Sequence, residues 1–301
     1  MRNRGWPLGG CLKVPPASKF HPWLLGLGLG LALTVGLPLP KPADPAPLVP
    51  TWSQGVYLWN SLRLLDPKSQ EAELQQLQRQ GMTELLVGLS APQVRAADGS
   101  KLALAALLRN AHRRGMRVQL LLGDPSWILP AHRSELLELV TRYRQLPFDG
   151  LHLDLEVEQL GWPVPPSRLS QWLDTVVELQ QQSPWPVGIS SHPRWFEQDG
   201  DRGEAPCGPC RLSRLGAISL MIYQRNPQRS AARASAIALR WPQLHFRLAQ
   251  SVEKNLGAEL SWHGSSAAQL QQQVQNWRLE LEPHGIGGIY WQDWQDYPKS
   301  P

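Results

Sequence analysis

Beyond residue 54, short apolar runs alternate with longer segments in which apolar residues recur at helical spacing. Apolar runs of this length, bounded by turn residues, are typical of buried strands, and the longer segments are typical of amphipathic helices. The predicted strands are GVYLWN (55–60), TELLVGLS (83–90), RVQLLLG (117–123), GLHLDLE (150–156), PVGISSH (186–192), AISLMIYQ (217–224), HFRLAQSV (245–252) and GIGGIYW (285–291). Helical segments such as KLALAALLRNAHRRG (101–115), which ends in basic residues and a glycine, separate most of them.

Eight strands alternating with helices have the order and length of a (β/α)8 TIM barrel, for which about 250 residues is typical. The rival architecture is an open doubly wound sheet, which favours a glycine-rich first crossover. The first turn here, NSLRLLDPKS (60–69), contains no glycine. The pattern therefore predicts a single α/β domain, a TIM barrel over residues 52–297.

The N-terminal residues follow a different pattern. A basic region (1–22) leads into an uncharged run, WLLGLGLGLALTVGL (23–37), and then into a Pro-rich linker (38–51). This order is typical of an export signal, and the run is shorter than the roughly 20 residues that span a bilayer comfortably. The long basic lead and the lack of a clean Ala-x-Ala site leave an uncleaved membrane anchor open. Either way, we expect an exported protein in the periplasm, at the cell surface or secreted.

The net charge of +5 comes mostly from this N-terminal part. Removing its five basic residues and one acid leaves 25 basic against 24 acidic residues, a net charge of +1. The predicted barrel thus has no basic excess and no nucleic-acid-binding motif, and we expect no nucleic-acid partner.

Cys207 and Cys210 form a CGPC motif in the polar stretch EQDGDRGEAPCGPC (197–210). A disulfide that tightens a loop in an oxidising compartment is the favoured interpretation, ahead of half a metal site. A thioredoxin-like dithiol comes last, because such a site needs a strand before the motif and a helix beginning at it.

Strand four carries the strongest candidate chemistry. In FDGLHLDLEVE (148–158), His152, Asp154 and Glu156 alternate with leucines at 151, 153 and 155. Side chains alternate between the two faces of a strand, so the leucines should face the helices and the polar groups the barrel axis. Glu156 would then reach the mouth with Asp154 one layer below, and two carboxyls this close should share a proton with raised affinity.

DGLHLDLE (149–156) resembles the strand-four signature D-G-x-D-x-D-x-E of glycoside hydrolase family 18, the chitinases and endo-β-N-acetylglucosaminidases. The match carries Asp149, Gly150, Asp154 and Glu156. MIYQ (221–224) resembles the family's M-x-Y-D/N at strand six, and GIGGIYWQDW (285–294) its G-x-G-G-x-x-W at strand eight.

The resemblance implies that Glu156 protonates the glycosidic oxygen. Asp154 would orient a substrate N-acetyl group that acts as the nucleophile, the substrate-assisted exception to the two-carboxylate scheme. Tyr223 would hydrogen-bond the same acetamide, and Trp291 would form the floor of the sugar subsite.

Three positions depart from the family pattern. His152 stands where the family has Asp, LLGD (121–124) replaces the strand-three S-x-G-G, and Gln224 replaces Asp or Asn. A hydrogen bond from His152 to Asp154 would depress the pKa of Asp154 and leave burial to raise that of Glu156. If His152 is instead a core histidine, neighbouring groups would hydrogen-bond its ring nitrogen atoms.

Further substrate-binding candidates lie near the predicted strand ends, because barrel enzymes build their sites there. They are Trp59, Trp127, Gln224, His152 and Asp149, with Glu253 and Asp293 as alternative acids. Aromatic rings at a barrel mouth stack on the apolar face of a sugar, although packing is the commoner role for any one tryptophan.

The sequence therefore predicts an exported glycosidase-like barrel for a β-linked, N-acetylated polysaccharide such as peptidoglycan or a chitin-like glycan, without metal or cofactor. The alternative is a barrel with a degraded site that binds glycan without cutting it, and a thiol-redox protein comes third. The Gly-x-Ser-x-Gly elbow, phosphate loops and zinc-protease motifs are missing from the sequence, which sets aside serine hydrolases and phosphoryl transfer.

Overall fold

The computed structural model describes residues 52–95, 97–197 and 207–299, and over these ranges eight parallel strands close into a barrel. The strands are β1 (Ser53–Leu58), β2 (Glu84–Gly88), β3 (Arg117–Leu122), β4 (Gly150–Leu153), β5 (Val187–Ser191), β6 (Ile218–Met221), β7 (Phe246–Ser251) and β8 (Ile286–Gln292). Each strand pairs with the next, and β8 closes the ring on β1. The predicted TIM barrel is confirmed. The N-terminal segments predicted at 1–22, 23–37 and 38–51 lie outside the described residues.

Helices cover the outside of the barrel. They are α1 (Leu62–Leu65), α2 (Gln70–Arg79), α3 (Ala91–Arg95), α4 (Ala97–His112), α5 (Arg133–Tyr143), α6 (Pro166–Gln182), α7 (Arg194–Glu197), α8 (Gly208–Arg211), α9 (Pro227–Arg240) and α10 (Ala267–Leu281). Local chemistry fixes their ends: Ser266 and Gln269 form a capping box at α10, and Gly115 adopts a positive φ just beyond α4. None of these helices combines the length and hydrophobicity needed to cross a bilayer.

The two faces of the strands differ sharply. Outward residues such as Leu151 and Leu153 are fully buried in the hydrophobic core between the barrel and its helices. The inward face instead carries many aromatic and polar groups. In its lowest layer, the Glu84 carboxylate accepts hydrogen bonds of 2.7 Å from both Gln119 and Tyr290. Burial acts to raise the pKa of Glu84, but the charges of Arg117 and Arg247 outweigh it and hold that pKa below its usual value.

Asp149 lies at the opposite end of β4 from the barrel mouth, which corrects its prediction as a substrate-binding residue. It precedes the first residue of the strand, so it belongs to the N-terminal face of the barrel. Its Oδ2 atom accepts from the backbone N–H of Val118 at 2.7 Å and lies 2.8 Å from His112 Nε2. These contacts tie strand ends together and leave Asp149 a structural role.

Trp291 and Trp127 are both buried in packing contacts. Tyr290 points into the barrel, so Trp291, the next residue along β8, points outward, where it is fully buried against Trp277 of α10 and Tyr297. Trp127 lies in a short 3-10 turn after β3 and is 5% exposed in the same outer core. Both predictions as sugar-binding residues are therefore corrected: the faces on which these rings lie are packing faces.

We expect Trp291→Ala to lower the free energy of unfolding by about 3–5 kcal/mol, because it empties a large, fully packed site. Trp162, which is 63% exposed, offers a matched control: Trp162→Ala should cost less than about 1 kcal/mol. Urea denaturation followed by circular dichroism measures both. Equal and small losses would contradict the packing role of Trp291.

Candidate active site

Asp154 and Glu156 lie where β4 leaves the barrel wall. The strand ladder extends one step past β4, since Asp154 N–H donates to the Leu122 carbonyl at 2.9 Å. A 3-10 turn, Val157–Leu160, begins directly after Glu156. Leu155 between them is buried in the outer core. Alternation along this extension therefore directs both carboxyl groups to the C-terminal mouth.

The two carboxyl groups both hold their protons unusually tightly. Burial is the largest cause that raises the pKa of Asp154, and the neighbouring charges of Glu156 and Glu253 add to it. Burial likewise raises the pKa of Glu156, against a 2.6 Å hydrogen bond from Gln159 that lowers it. Close carboxyl groups resist simultaneous ionisation, so the pair retains a proton into the neutral range.

Beneath the pair lies a layer of hydroxyl and imidazole groups. Ser190 Oγ is 2.8 Å from Tyr57 Oη and 3.0 Å from His152 Nε2, and its hydroxyl acts on Asp154 as a hydrogen-bond donor. A hydroxyl has one proton to donate and two lone pairs. Ser190 can therefore accept from Tyr57 and His152 while it donates upward to Asp154.

His152 supports this layer and does not bond Asp154 directly. It is fully buried, and burial lowers its pKa to about 3, so the ring is neutral. Its Nδ1 atom has no hydrogen-bond partner, and a side chain at Gly188 would approach that atom to 3.2 Å. The pKa of Asp154 is accordingly raised, whereas a direct His152–Asp154 bond would have depressed it.

Tyr223 and Gln224 follow β6 at the same mouth. Burial, and then the neighbouring Tyr57, Asp154 and Glu156, raise the pKa of the Tyr223 phenol well above its usual value. It is therefore a neutral hydrogen-bond donor beside the carboxyl pair. Gln224 is partly exposed, and its backbone carbonyl oxygen accepts a hydrogen bond from Ser230 Oγ at 3.3 Å.

Trp59 provides the aromatic surface of the site. Its ring lies against Gly123 and Gly88: a Cβ atom on Gly123 would fall 2.4 Å from the indole and 3.3 Å from Asp154 Cβ. The glycines at the ends of β2 and β3 thus make room for the ring beside Asp154. Trp59 is partly exposed and packs on the barrel interior. It is an aromatic ring that the structure places beside Asp154 at the mouth.

A narrow cleft with no room for a free water molecule lies beside Glu156 at the ends of β4 and β5. Its lining includes Glu156, Glu158, Ser190, His192, Trp195 and Met221. Trp195 Nε1 donates to Glu158 at 2.8 Å and so fixes one wall. Within the described ranges, no three His, Cys, Asp or Glu side chains are arranged to hold a metal ion.

Sequence reasoning missed Tyr57, Ser190 and Glu158. The first two lie two residues before Trp59 and His192, on the same inward face, so strand parity could have identified them. Glu158 lies on a 3-10 turn that the apolar pattern does not reveal.

Comparison with known proteins supports the fold. No family model matches the chain, and no curated protein matches it. Among solved structures, a GH18 chitinase from Pseudoalteromonas aurantia has a TM-score of 0.54 at 12% identity, covering 80% of this chain and 94% of that one. The Bacillus megaterium spore cortex-lytic enzyme has a TM-score of 0.56 at 11% identity (85% and 74% covered), and a Chromobacterium violaceum chitinase 0.54 at 11% (82% and 95%). The chain therefore has a glycoside-hydrolase-like barrel fold.

The raised carboxyl pKa values make stability depend on pH. A group whose pKa is higher in the folded than in the unfolded state stabilises the fold at low pH, and that stabilisation is lost as the pH rises through the folded pKa. Neutral buried His152 and His192 contribute with the opposite sign, so the effect of Asp154 is read as a difference: between pH 5 and 8 we expect the wild type to lose about 1–3 kcal/mol of unfolding free energy relative to Asp154→Asn. Denaturant titrations at several pH values measure it.

Glu71→Gln is the control for this difference. Hydrogen bonds from Gln75 and Arg114 lower the pKa of the exposed Glu71 carboxyl, so it is ionised throughout the range. The pH dependence of the wild type should remain in this variant. A wild type that gains stability relative to Asp154→Asn between pH 5 and 8 would contradict the raised pKa of Asp154.

Proposed function

We propose that this protein is an exported glycosidase that hydrolyses a β-linked, N-acetylated polysaccharide by acid catalysis with assistance from the substrate's acetamide group. The proposal is carried by one observation: a proton-retaining carboxyl pair, Asp154 and Glu156, lies beside an aromatic surface at the mouth of the barrel. The glycosidase-like fold and the strand-four signature support it.

Glu156 is the proposed general acid. It lies further out than Asp154 along the end of β4, so a glycosidic oxygen at the mouth would meet it first. Its proton passes to that oxygen as the bond to C1 breaks, while the substrate's acetamide oxygen attacks C1 and forms a cyclic oxazolinium. Water then opens this ring and restores the acetamide as Glu156, now a carboxylate, accepts the water's proton.

Asp154 is the proposed partner of the acetamide N–H. Without substrate, deeper burial favours the proton on Asp154. A hydrogen bond from the acetamide N–H stabilises the Asp154 carboxylate, so substrate binding shifts the shared proton toward Glu156, where the reaction uses it. The Ser190 hydroxyl, supported by Tyr57 and neutral His152, stabilises the same carboxylate from below.

Tyr223 and Trp59 complete the proposed sugar subsite. The neutral Tyr223 phenol donates to the acetamide oxygen and aligns it with C1, and the Trp59 ring stacks on the apolar face of the sugar. Gln224, at the same rim, is available to hydrogen-bond a sugar hydroxyl.

Export is proposed from two observations. Residues 23–37 carry the pattern of an export signal, with an uncleaved anchor as the alternative. Cys207 and Cys210 form a disulfide with Cα atoms 5.4 Å apart, and disulfides persist mainly in oxidising compartments outside the cytoplasm.

A glycan-binding barrel without catalysis is the second candidate. Two observations favour it: Trp291 faces the helices, and a neutral histidine, His152, stands where the related signature has a carboxylate. Binding alone would need the aromatic surface and the cleft but no proton on Glu156.

Glu156→Gln separates these two functions. We expect it to reduce hydrolysis of a fluorogenic N-acetylglucosaminide and of chitin oligosaccharides by at least about 100-fold, since a general acid contributes that much. Affinity for the glycan, measured by calorimetry, should change little.

Glu158→Gln is the matched control, because glutamine keeps an acceptor for Trp195 Nε1 and activity should stay within about tenfold of wild type. If wild type and Glu156→Gln are both inactive on a panel of N-acetylated glycans yet both bind one, the binding function replaces the hydrolase.

A further inference from the structure

An exposed tryptophan and an arginine lie side by side on the loops that follow β4 and β5. Trp162, in the loop after β4, is 63% exposed, and the Arg194 guanidinium lies 4.2 Å from the centre of its ring. Arg194 follows His192, which lines the cleft, and Trp195 lines it too. The stacked pair is thus placed on the same two loops that build the wall of the candidate site.

Arg194 forms no salt bridge to a described carboxylate, although its charge acts, after that of Arg233, on the nearby Glu197. The neighbouring carboxylates are engaged elsewhere: Glu158 accepts from Trp195 Nε1 at 2.8 Å, and Glu197 binds Arg233 through two contacts of 2.6 and 2.8 Å. The guanidinium is instead held by a neutral acceptor, because His192 Nδ1 accepts from Arg194 Nε at 2.9 Å.

His192 fixes the position of the guanidinium. Burial, then the charges of Arg194 and Arg233, lower its pKa to about 4, so the ring is neutral. Its Nδ1 atom also accepts from the Arg194 backbone N–H at 3.1 Å, and its Nε2 atom lies 3.1 Å from Arg194 Nη2. These contacts hold the guanidinium in place, and its Nη1 group, which makes no hydrogen bond to the described residues, can donate to a further acceptor.

We propose that Trp162, Arg194 and His192 form a subsite for a sugar that carries a carboxylate, adjoining the sugar bound at Asp154 and Glu156. This assignment rests on the proposed function, because the proposed site of hydrolysis sets how the glycan would lie across the subsite. A planar carboxylate matches the guanidinium fork, whereas a neutral hydroxyl satisfies only one donor. The free face of the Trp162 ring is a surface on which the same sugar ring can stack. The protein would then prefer glycans in which N-acetylated sugars alternate with acidic ones.

Binding to the inactive Glu156→Gln variant tests the subsite without requiring turnover. The probes are a peptide-free peptidoglycan oligosaccharide, whose muramyl sugars carry a carboxylate, and the same oligosaccharide with that group converted to an amide. We expect the carboxylate form to bind about tenfold or more tightly, the effect of a charge-assisted hydrogen bond. Adding Arg194→Gln should abolish this preference, and Arg194→Lys should keep part of it.

Two further variants serve as controls. Trp162→Ala should lower the affinity for both oligosaccharides by a similar factor, because stacking on the ring does not depend on the carboxylate. Arg225→Gln, at the rim beyond β6, should leave the preference intact. Equal affinity for the two forms, or no binding of either, overturns the subsite.

Hydrolysis by the wild-type protein is measured separately on chitin oligosaccharides and on the peptidoglycan oligosaccharide. If the carboxylate preference is present but neither glycan is cut, the subsite stands and the hydrolase proposal fails. If glycan is cut but affinity ignores the carboxylate, the hydrolase stands and the acidic subsite fails.

Discussion

The burial of alternate leucines along β4 is the constraint on which the site depends. Leu151, Leu153 and Leu155 fill the core between the barrel and its helices. Since neighbouring side chains on a strand point in opposite directions, this burial forces Asp154 and Glu156 toward the barrel axis. A shift of one residue would exchange the two sets and place carboxyl groups in the apolar layer, at a cost of several kcal/mol. The hydrophobic effect thus positions the candidate catalytic groups.

The polar interior works in two layers with opposite electrostatics. At the bottom, Glu84 is held as a carboxylate by Arg117 and Arg247. At the mouth, Asp154 and Glu156 face no such cations, so burial and mutual repulsion raise the pKa values of both. Similar acids in one barrel therefore behave differently because only the lower one has positive partners.

Trp291 and Trp59 differ in which face of their strand they occupy. Trp291 aligns with a family tryptophan by sequence, yet it packs against Trp277 outside the barrel. Trp59 lies beside Asp154 because Gly123 leaves it space. An inward strand-end position, more than a motif letter, decides which ring lies at the mouth.

The sequence by itself determined the barrel and the direction of β4. Apolar period and strand number are properties of the chain, and the observed strands begin and end within a few residues of the predicted ones. It also indicated Asp154, Glu156, Tyr223 and Trp59, whose neighbourhood at the mouth follows from strand order.

Only the tertiary structure decided which residues complete the site. Ser190 supports Asp154 across neighbouring strands, and Arg194 stacks on Trp162 from a different loop. The structure also showed that the Trp291 and Trp127 rings are buried. Such contacts join residues that are far apart in sequence. Loops and turns lack the periodic spacing of apolar residues from which strands and helices are predicted, so these contacts could not be predicted from the sequence. Local pattern fixes the face on which a side chain lies, but its partner across the barrel is set by closure of the ring.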